Sequence, residues 1–372
     1  MTRSPAAAAA EAMGFWSAAS ARENIAKHWM PVLFDRFGAA VRTAHHAAPE
    51  ASKRAGLVAI AKRVVRATPQ AHEALAQDPA LARWVAGVEE ASASPYPEPR
   101  LEALLALLPR FAVALAIRER DDLDLPLVLG STGLARIPTD GRMLQGPPAR
   151  AVRAQVRRGE LTTHARPPLR VGPFELADGT AEGGRVPVVR PLTGADSLET
   201  VKPLAAGVQI LAETAPAALT EASVLAPVLV AIGSAPETSQ SASRPDVRGC
   251  IWLAAPPRPL VVAETLLHEA SHTKLYLIED ADPLVETPDP PRFKVPWRPD
   301  ARPARAVLLG LHAWVRVVCW LRTLGETPWS QPAAERLPVL LEATRAAADI
   351  MAKADGLTPA GRALTERLIA EI

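Results

Sequence analysis

Over residues 6–117 apolar positions recur three and four apart, as in Leu101, Leu104, Leu108, Phe111 and Leu115, and Ala and Leu dominate. That spacing puts an apolar stripe on one face of a helix, and no long β-branched run competes with it. Pro31, Pro69, Pro79 and the stretch Ser94-Pro95-Tyr96-Pro97-Glu98-Pro99 are expected to divide the region into several helices. Pro109 is expected to kink or split the last of them.

The pattern changes after residue 124. Residues 125–129, 171–176 and 186–189 are short apolar runs bounded by Gly and Pro, which predict edge or irregular strands. Thr193-Gly194-Ala195-Asp196-Ser197 predicts a helix start, capped by Asp196 or Ser197. That helix should run to about residue 215, with a break or restart at Pro203. Residues 224–232 predict a buried strand despite Pro227, 233–243 a polar loop, and 249–253 another short strand. A helix follows Pro256-Pro257-Arg258-Pro259, then a Pro-rich loop over 280–303. Three helices close the chain near 304–324, 332–354 and 358–369. The expected class is mostly α with a smaller β portion (α+β): a helical N-terminal half, short irregular strands in the middle, and a helical metal-binding C-terminal half. The expected regions are 1–120, 121–255 and 256–372, the last two forming either separate units or one continuous domain.

Composition narrows the function classes. At 372 residues the chain exceeds the usual size of one domain. Its 42 basic and 40 acidic residues nearly balance, which argues against nucleic acid or an anionic membrane as the main partner. Cys250 and Cys319 are the only cysteines; they make neither a disulfide framework nor a cysteine metal site, so a cytoplasmic setting is expected. No uncharged apolar run reaches the length of a membrane span. The opening Met1-Thr2-Arg3-Ser4-Pro5 with its alanines mimics a signal peptide, but Glu11 and Arg22-Glu23 break it.

The chemistry concentrates in His268-Glu269-Ala270-Ser271-His272, set in an apolar run. Residues four apart share a helix face, so both imidazoles can reach one metal ion, and Glu269 can lie beside a metal-bound water or substrate. The competing reading, two surface histidines and a solvated glutamate, is disfavoured by the apolar flanks. Two histidines do not complete a site. A catalytic zinc takes three protein ligands plus water, and a non-haem iron oxygenase often takes two His and a carboxylate. Residues 304–325 contain no Asp or Glu; apart from Cys319, His312 is the one conventional ligand there. A core histidine hydrogen-bonded to a backbone carbonyl is the alternative for His312. Asp282 or Glu286 could fold back as ligands or simply be solvated; Glu279 lies two helical turns past His272 and is too far. Glu264, four before His268, could orient an imidazole. The stiff loop 290–303 carries Arg292, Lys294, Arg298 and Arg302, of which Arg298 is the candidate for binding a carboxylate.

Four runs then suggest a family: Glu264-Thr265-Leu266-Leu267-His268-Glu269-Ala270-Ser271-His272; Asp282-Pro283-Leu284-Val285; Pro296-Trp297-Arg298-Pro299-Asp300-Ala301-Arg302-Pro303; and Gly310-Leu311-His312-Ala313. Together they resemble the HExxH-motif peptide-modifying proteins encoded near ribosomal-peptide natural-product genes. That family is associated with iron- and 2-oxoglutarate-dependent peptide β-hydroxylation. The resemblance covers residues 249–324; the N-terminal half adds nothing distinctive. It implies His268 and His272 as iron ligands, His312 as the third, Fe(II) and 2-oxoglutarate as cofactors, and a precursor peptide as substrate. Arg298 as the 2-oxoglutarate clamp follows from side-chain chemistry, and Glu269 would serve beside the metal or in proton handling. The motif alone favours a zinc metallopeptidase with Glu269 as general base. The extended three-His pattern of one large peptidase group is absent, because Thr273-Lys274-Leu275 follows His272. A third reading is a non-catalytic binding protein with a degenerate site; the intact His/Glu/His trio argues against it.

Overall fold

The computed structural model describes residues 5–95, 97–129, 134–146, 150–178, 194–232, 241–254, 258–290 and 292–372. It opens with helices α1 (Pro5–Met13), α2 (Ala18–Asn24), α3 (Met30–Ala47), α4 (Pro49–Arg54), α5 (Leu57–Arg66), α6 (Pro69–Gln77), α7 (Pro79–Ser92), α8 (Glu98–Leu105) and α9 (Pro109–Glu119). Pro69, Pro79 and Pro109 each stand in a first helical turn, where the missing N–H would have had no intrahelical partner. Thr68 and Asp78 cap α6 and α7 by accepting from Ala71 N and Ala80 N. Pro109 splits α8 from α9 as expected. Pro31 does not divide its helix. A wider π-type turn over Ile25–Trp29 joins α2 to α3 and absorbs the lost hydrogen bond.

The middle of the chain forms small sheets. Strands β1 (Leu123–Val128), β4 (Ala151–Arg157) and β5 (Glu160–Leu161) make one; β2 (Leu134–Arg136), β3 (Met143–Gln145) and β6 (Ala165–Arg166) make another. Pro126 sits on the edge strand β1, where a missing donor costs least. The central sheet has order β10-β11-β9-β8-β7, from β7 (Leu169–Val171), β8 (Phe174–Asp178), β9 (Val228–Ala231), β10 (Ser241–Arg244) and β11 (Val247–Leu253). β9 runs parallel to β8 and β11, and both edge strands are antiparallel. Between β8 and β9 come α10 (Gly194–Thr214) and α11 (Pro216–Leu225). Two expectations change here. α10 passes through Pro203 without ending, and residues 224–225 finish a helix, so that β9 starts only after Pro227. The strand expected over 186–189 lies outside the described residues.

The remainder is α12 (Pro259–Ala281), the hairpin β12 (Phe293–Val295) and β13 (Arg298–Arg302), then α13 (Ala304–Arg322), α14 (Ser330–Ala352) and α15 (Pro359–Glu371). Helix accounts for 61% and strand for 17%, a mostly helical α+β fold. The central sheet is buried on both faces, as a parallel core requires. Val228, Val230, Cys250 and Trp252 join the core of the N-terminal helices, while Leu229, Ile251 and Leu253 pack with α10, α12 and α13. Each fully buried Leu or Val contributes about 1.5–3 kcal/mol, so α12 is anchored along most of its length. Among the described residues α13 is the one helix long and apolar enough to cross a membrane. Most of its apolar stretch is buried inside the fold, where it serves as a core helix.

Candidate metal centre

Helical periodicity sets Glu264, His268, His272 and Tyr276 in one ridge along α12, each four residues from the next. The ridge forms one wall of a cavity of about 750 Å³. Ser241 and Ser243 of β10, Trp297, Arg298 and Arg302 of the hairpin region, Leu309, Gly310 and Trp314 of α13, and Arg336 of α14 supply other walls. The Nε2 atoms of His268 and His272 stand 3.0 Å apart. Their rings are nearly perpendicular, and Trp314 packs 4.4 Å from the His268 ring, centroid to centroid.

Burial drives the His268 pKa well below the usual histidine value, helped by His272 and His312. Burial also lowers His272, against the pull of the Glu269 charge. Both rings are therefore neutral at pH 7, the form that binds metal. Their Nδ1 atoms are buried and have no partner among the described residues. Two converging neutral imidazole nitrogens fit a divalent ion of the zinc or iron type.

Glu269 is buried beside this pair, and each of its oxygens accepts a serine hydroxyl at 2.7 Å, one from Ser241 and one from Ser243. Alternate residues of a strand face the same way, which is how Ser-Ala-Ser delivers both donors. The Tyr276 hydroxyl also bonds with Ser243. Burial, followed by the Glu269 charge, pushes its pKa up to about 12, despite Arg305. Glu264 is raised by burial, only partly offset by Arg336 at 2.9 Å. Trp297 is seated by a glycine: a Cβ on Gly310 would lie 3.1 Å from the indole.

Of the four site residues expected around one metal besides His312, the structure gathers His268, His272, Glu269 and Arg298 at one cavity. Arg298 is exposed and makes no ion pair among the described residues, whereas Arg302 pairs with Asp300 and Arg336 with Glu264. His312 lies near the imidazole pair but does not line the cavity. α13 turns Gly310 and Trp314 to the cavity; His312, two residues from each, points its Nε2 to the Ala12 carbonyl at 3.0 Å. That is the core-histidine arrangement, although its Nδ1 is buried with no partner among the described residues. Glu279 pairs with Arg305, and neither Asp282 nor Glu286 lines the cavity. Among the described residues no three His, Cys, Asp or Glu side chains come together as a metal-binding group.

Ser241, Ser243, Trp314, Arg302 and Arg336 were not expected at the site. Ser241 and Ser243 fall in the stretch expected to be a polar loop, and only the Ser-Ala-Ser alternation hints at a strand. Models of known protein families and curated proteins were compared with the chain, and none matches.

Proposed function

We propose that the protein is an Fe(II)- and 2-oxoglutarate-dependent hydroxylase that acts in the cytoplasm on the β-carbon of a side chain in a ribosomally made precursor peptide. The observation that carries this reading is the meeting at one cavity of a neutral imidazole pair and Arg298, an arginine without an ion pair among the described residues. The bound iron would supply the oxidising chemistry, with 2-oxoglutarate and oxygen as co-reactants. His268 and His272 would hold the ion. The resemblance adds His312, whose Nε2 is engaged by Ala12, so a ligand role falls to its Nδ1. Arg298 binds a carboxylate through paired, charge-assisted hydrogen bonds. Trp297, Leu309 and Trp314 give the cavity apolar walls. Glu269, fixed by two serines, offers a negative charge at a set position beside the imidazoles.

A peptide suits the cavity's edge. β10 is the outer strand of the sheet, and an extended chain adds to such an edge through main-chain hydrogen bonds. Alternate side chains of that added strand would then enter the cavity.

A zinc metallopeptidase is the second reading, favoured by the nearness of Glu269 to the imidazole pair. Against it, both Glu269 oxygens already accept serine hydroxyls, so neither can take a proton from a metal-bound water without displacing a serine. The deciding experiment is an anaerobic titration of Fe(II)-loaded protein with 2-oxoglutarate, watched for a visible metal-to-ligand charge-transfer band. A saturating band that disappears in His268→Ala supports the hydroxylase. Arg298→Ala should then raise the 2-oxoglutarate requirement by about 10–100-fold, the scale of one charge-assisted contact. Absence of a band in protein shown to hold metal rejects the hydroxylase. Peptide cleavage abolished by Glu269→Gln with metal retained would establish the peptidase.

A further inference from the structure

A second cavity, of about 380 Å³, shares no residue with the first. It is lined from α2, α6 and α9 and from β7 and β8, at the sheet edge opposite β10. Its floor is a fixed charge cluster. Arg136, 3% exposed, reaches Asp78 at 2.8 and 3.0 Å and also pairs with Glu175. Asp78 further accepts Thr139 N at 2.6 Å and Ala80 N at 2.9 Å. The turn that closes over this cluster is unusual. Thr139 is β-branched yet has φ +62°, and Gly141 has φ +78° with no room for a Cβ beside the Glu175 carboxylate.

Three further guanidiniums rise from this floor: Arg22 of α2, Arg118 of α9 and Arg170 of β7. None forms an ion pair among the described residues. Arg118 donates to Thr139 O at 3.2 Å, and Arg170 makes only a 3.5 Å contact with Pro173 O. The cavity's other carboxylate, Glu73, accepts the Gln77 amide at 3.1 Å. Arg136 is shared by Asp78 and Glu175 and balances only one of them, so the cavity holds four cations against three anions, with Arg22, Arg118 and Arg170 the cations left to face a ligand. They come from positions distant in the sequence and converge on a floor held by strained backbone.

We propose that this cavity is a docking site for an acidic segment of a polypeptide, its carboxylates taken by Arg22, Arg118 and Arg170. Guanidinium forks match carboxylates two bonds at a time. Pockets for small molecules are mostly apolar and enclose the ligand. This one is mostly polar, with long exposed arginines at its rim, the arrangement that captures and orients a charged chain. The site does not depend on the metal chemistry proposed above.

The test is fluorescence anisotropy of labelled hexaglutamate with the full-length protein at low ionic strength, beside hexaglutamine and with inorganic phosphate as competitor. Binding of hexaglutamate but not hexaglutamine is expected, weakening as salt rises. Kd should increase at least about ten-fold in R22S/R118S/R170S, the scale of a few charge-assisted bonds. His268→Ala should leave it unchanged, which separates this site from the metal centre. If the triple variant melts early, R22S/R170S gives the same reading without touching the Arg118–Thr139 bonds. Equal binding of hexaglutamine, affinity indifferent to the arginines, or phosphate binding without peptide binding would each overturn the proposal.

Discussion

The two sides of α12 carry polar groups of opposite character. On one side Lys274 and Arg316 share the Glu221 carboxylate at 3.0 and 2.5 Å, and Trp16 N donates to it at 2.6 Å. Arg316 also donates to Ser271 Oγ, and Lys274 to the Gly14 carbonyl. Burial raises the Glu221 pKa, but two cations outweigh it and hold the carboxyl below its usual range. Burial, with the repulsion of Arg316, brings the Lys274 pKa down to about 8 despite the Glu221 and Glu11 charges. On the other side Glu269 is held by hydroxyls rather than cations, and the His268 and His272 Nδ1 atoms have no partner among the described residues. Charges that knit the fold are matched by charges; groups left for chemistry are positioned but not neutralised.

The sharpest break of this contrast is loss of the imidazole pair. His268→Ala should lower metal affinity by more than about a hundred-fold, since even outer partners of metal ligands are worth 10–100-fold. Metal content after dialysis and the melting temperature of the metal-free protein check it. The melting temperature should fall only slightly, because His268 packs against Trp314 on the wall of an open cavity rather than inside the closed core. A large drop would place His268 with the structural side.

Glu221→Ala should do the reverse. It leaves Lys274 and Arg316 buried without their anion, a loss of about 3–5 kcal/mol by denaturant unfolding. Acid sharpens the point. Glu221 has a folded pKa below 4.5, so its stabilisation is fully present above that pH and disappears as pH falls through the folded value. The parent should lose stability on acidification more steeply than Glu221→Gln does, measured as unfolding midpoint against pH. Equal slopes would mean the cluster is not the group titrating.

Much of this arrangement was legible beforehand, and the exceptions share a cause. The ridge of Glu264, His268, His272 and Tyr276 follows from a period of 3.6, which the apolar flanks already fixed. The three C-terminal helices fall near their expected limits because capping and apolar spacing are local. Lys274 with Glu221 and Arg316, by contrast, joins positions far apart in the chain, and no local pattern announces such a pairing. His312 was singled out for its apolar surroundings, but the direction of its ring depends on α1, some 300 residues away. The helix through Pro203 and the strand β10 within a polar stretch were decided by neighbours that override propensity.

The smallest effect tests the positioned side most finely. Ser241→Ala and Ser243→Ala each remove one hydroxyl from Glu269 without opening a large void. A hydrogen bond to a charged group is worth about 1.5–3 kcal/mol, partly restored here if water enters the cavity. Each single change should therefore lower stability by about 1 kcal/mol or less and leave metal content intact. The double variant should free the carboxylate to turn. If Glu269 works by staying fixed, turnover should fall more in the double variant than the two single losses multiplied together, with metal still bound. If Glu269 is instead a general base restrained by the serines, the same variant should hold or gain activity as its oxygens are released to accept a proton. The sign of that change, read at equal metal content, separates positioning from base catalysis without removing the carboxylate itself.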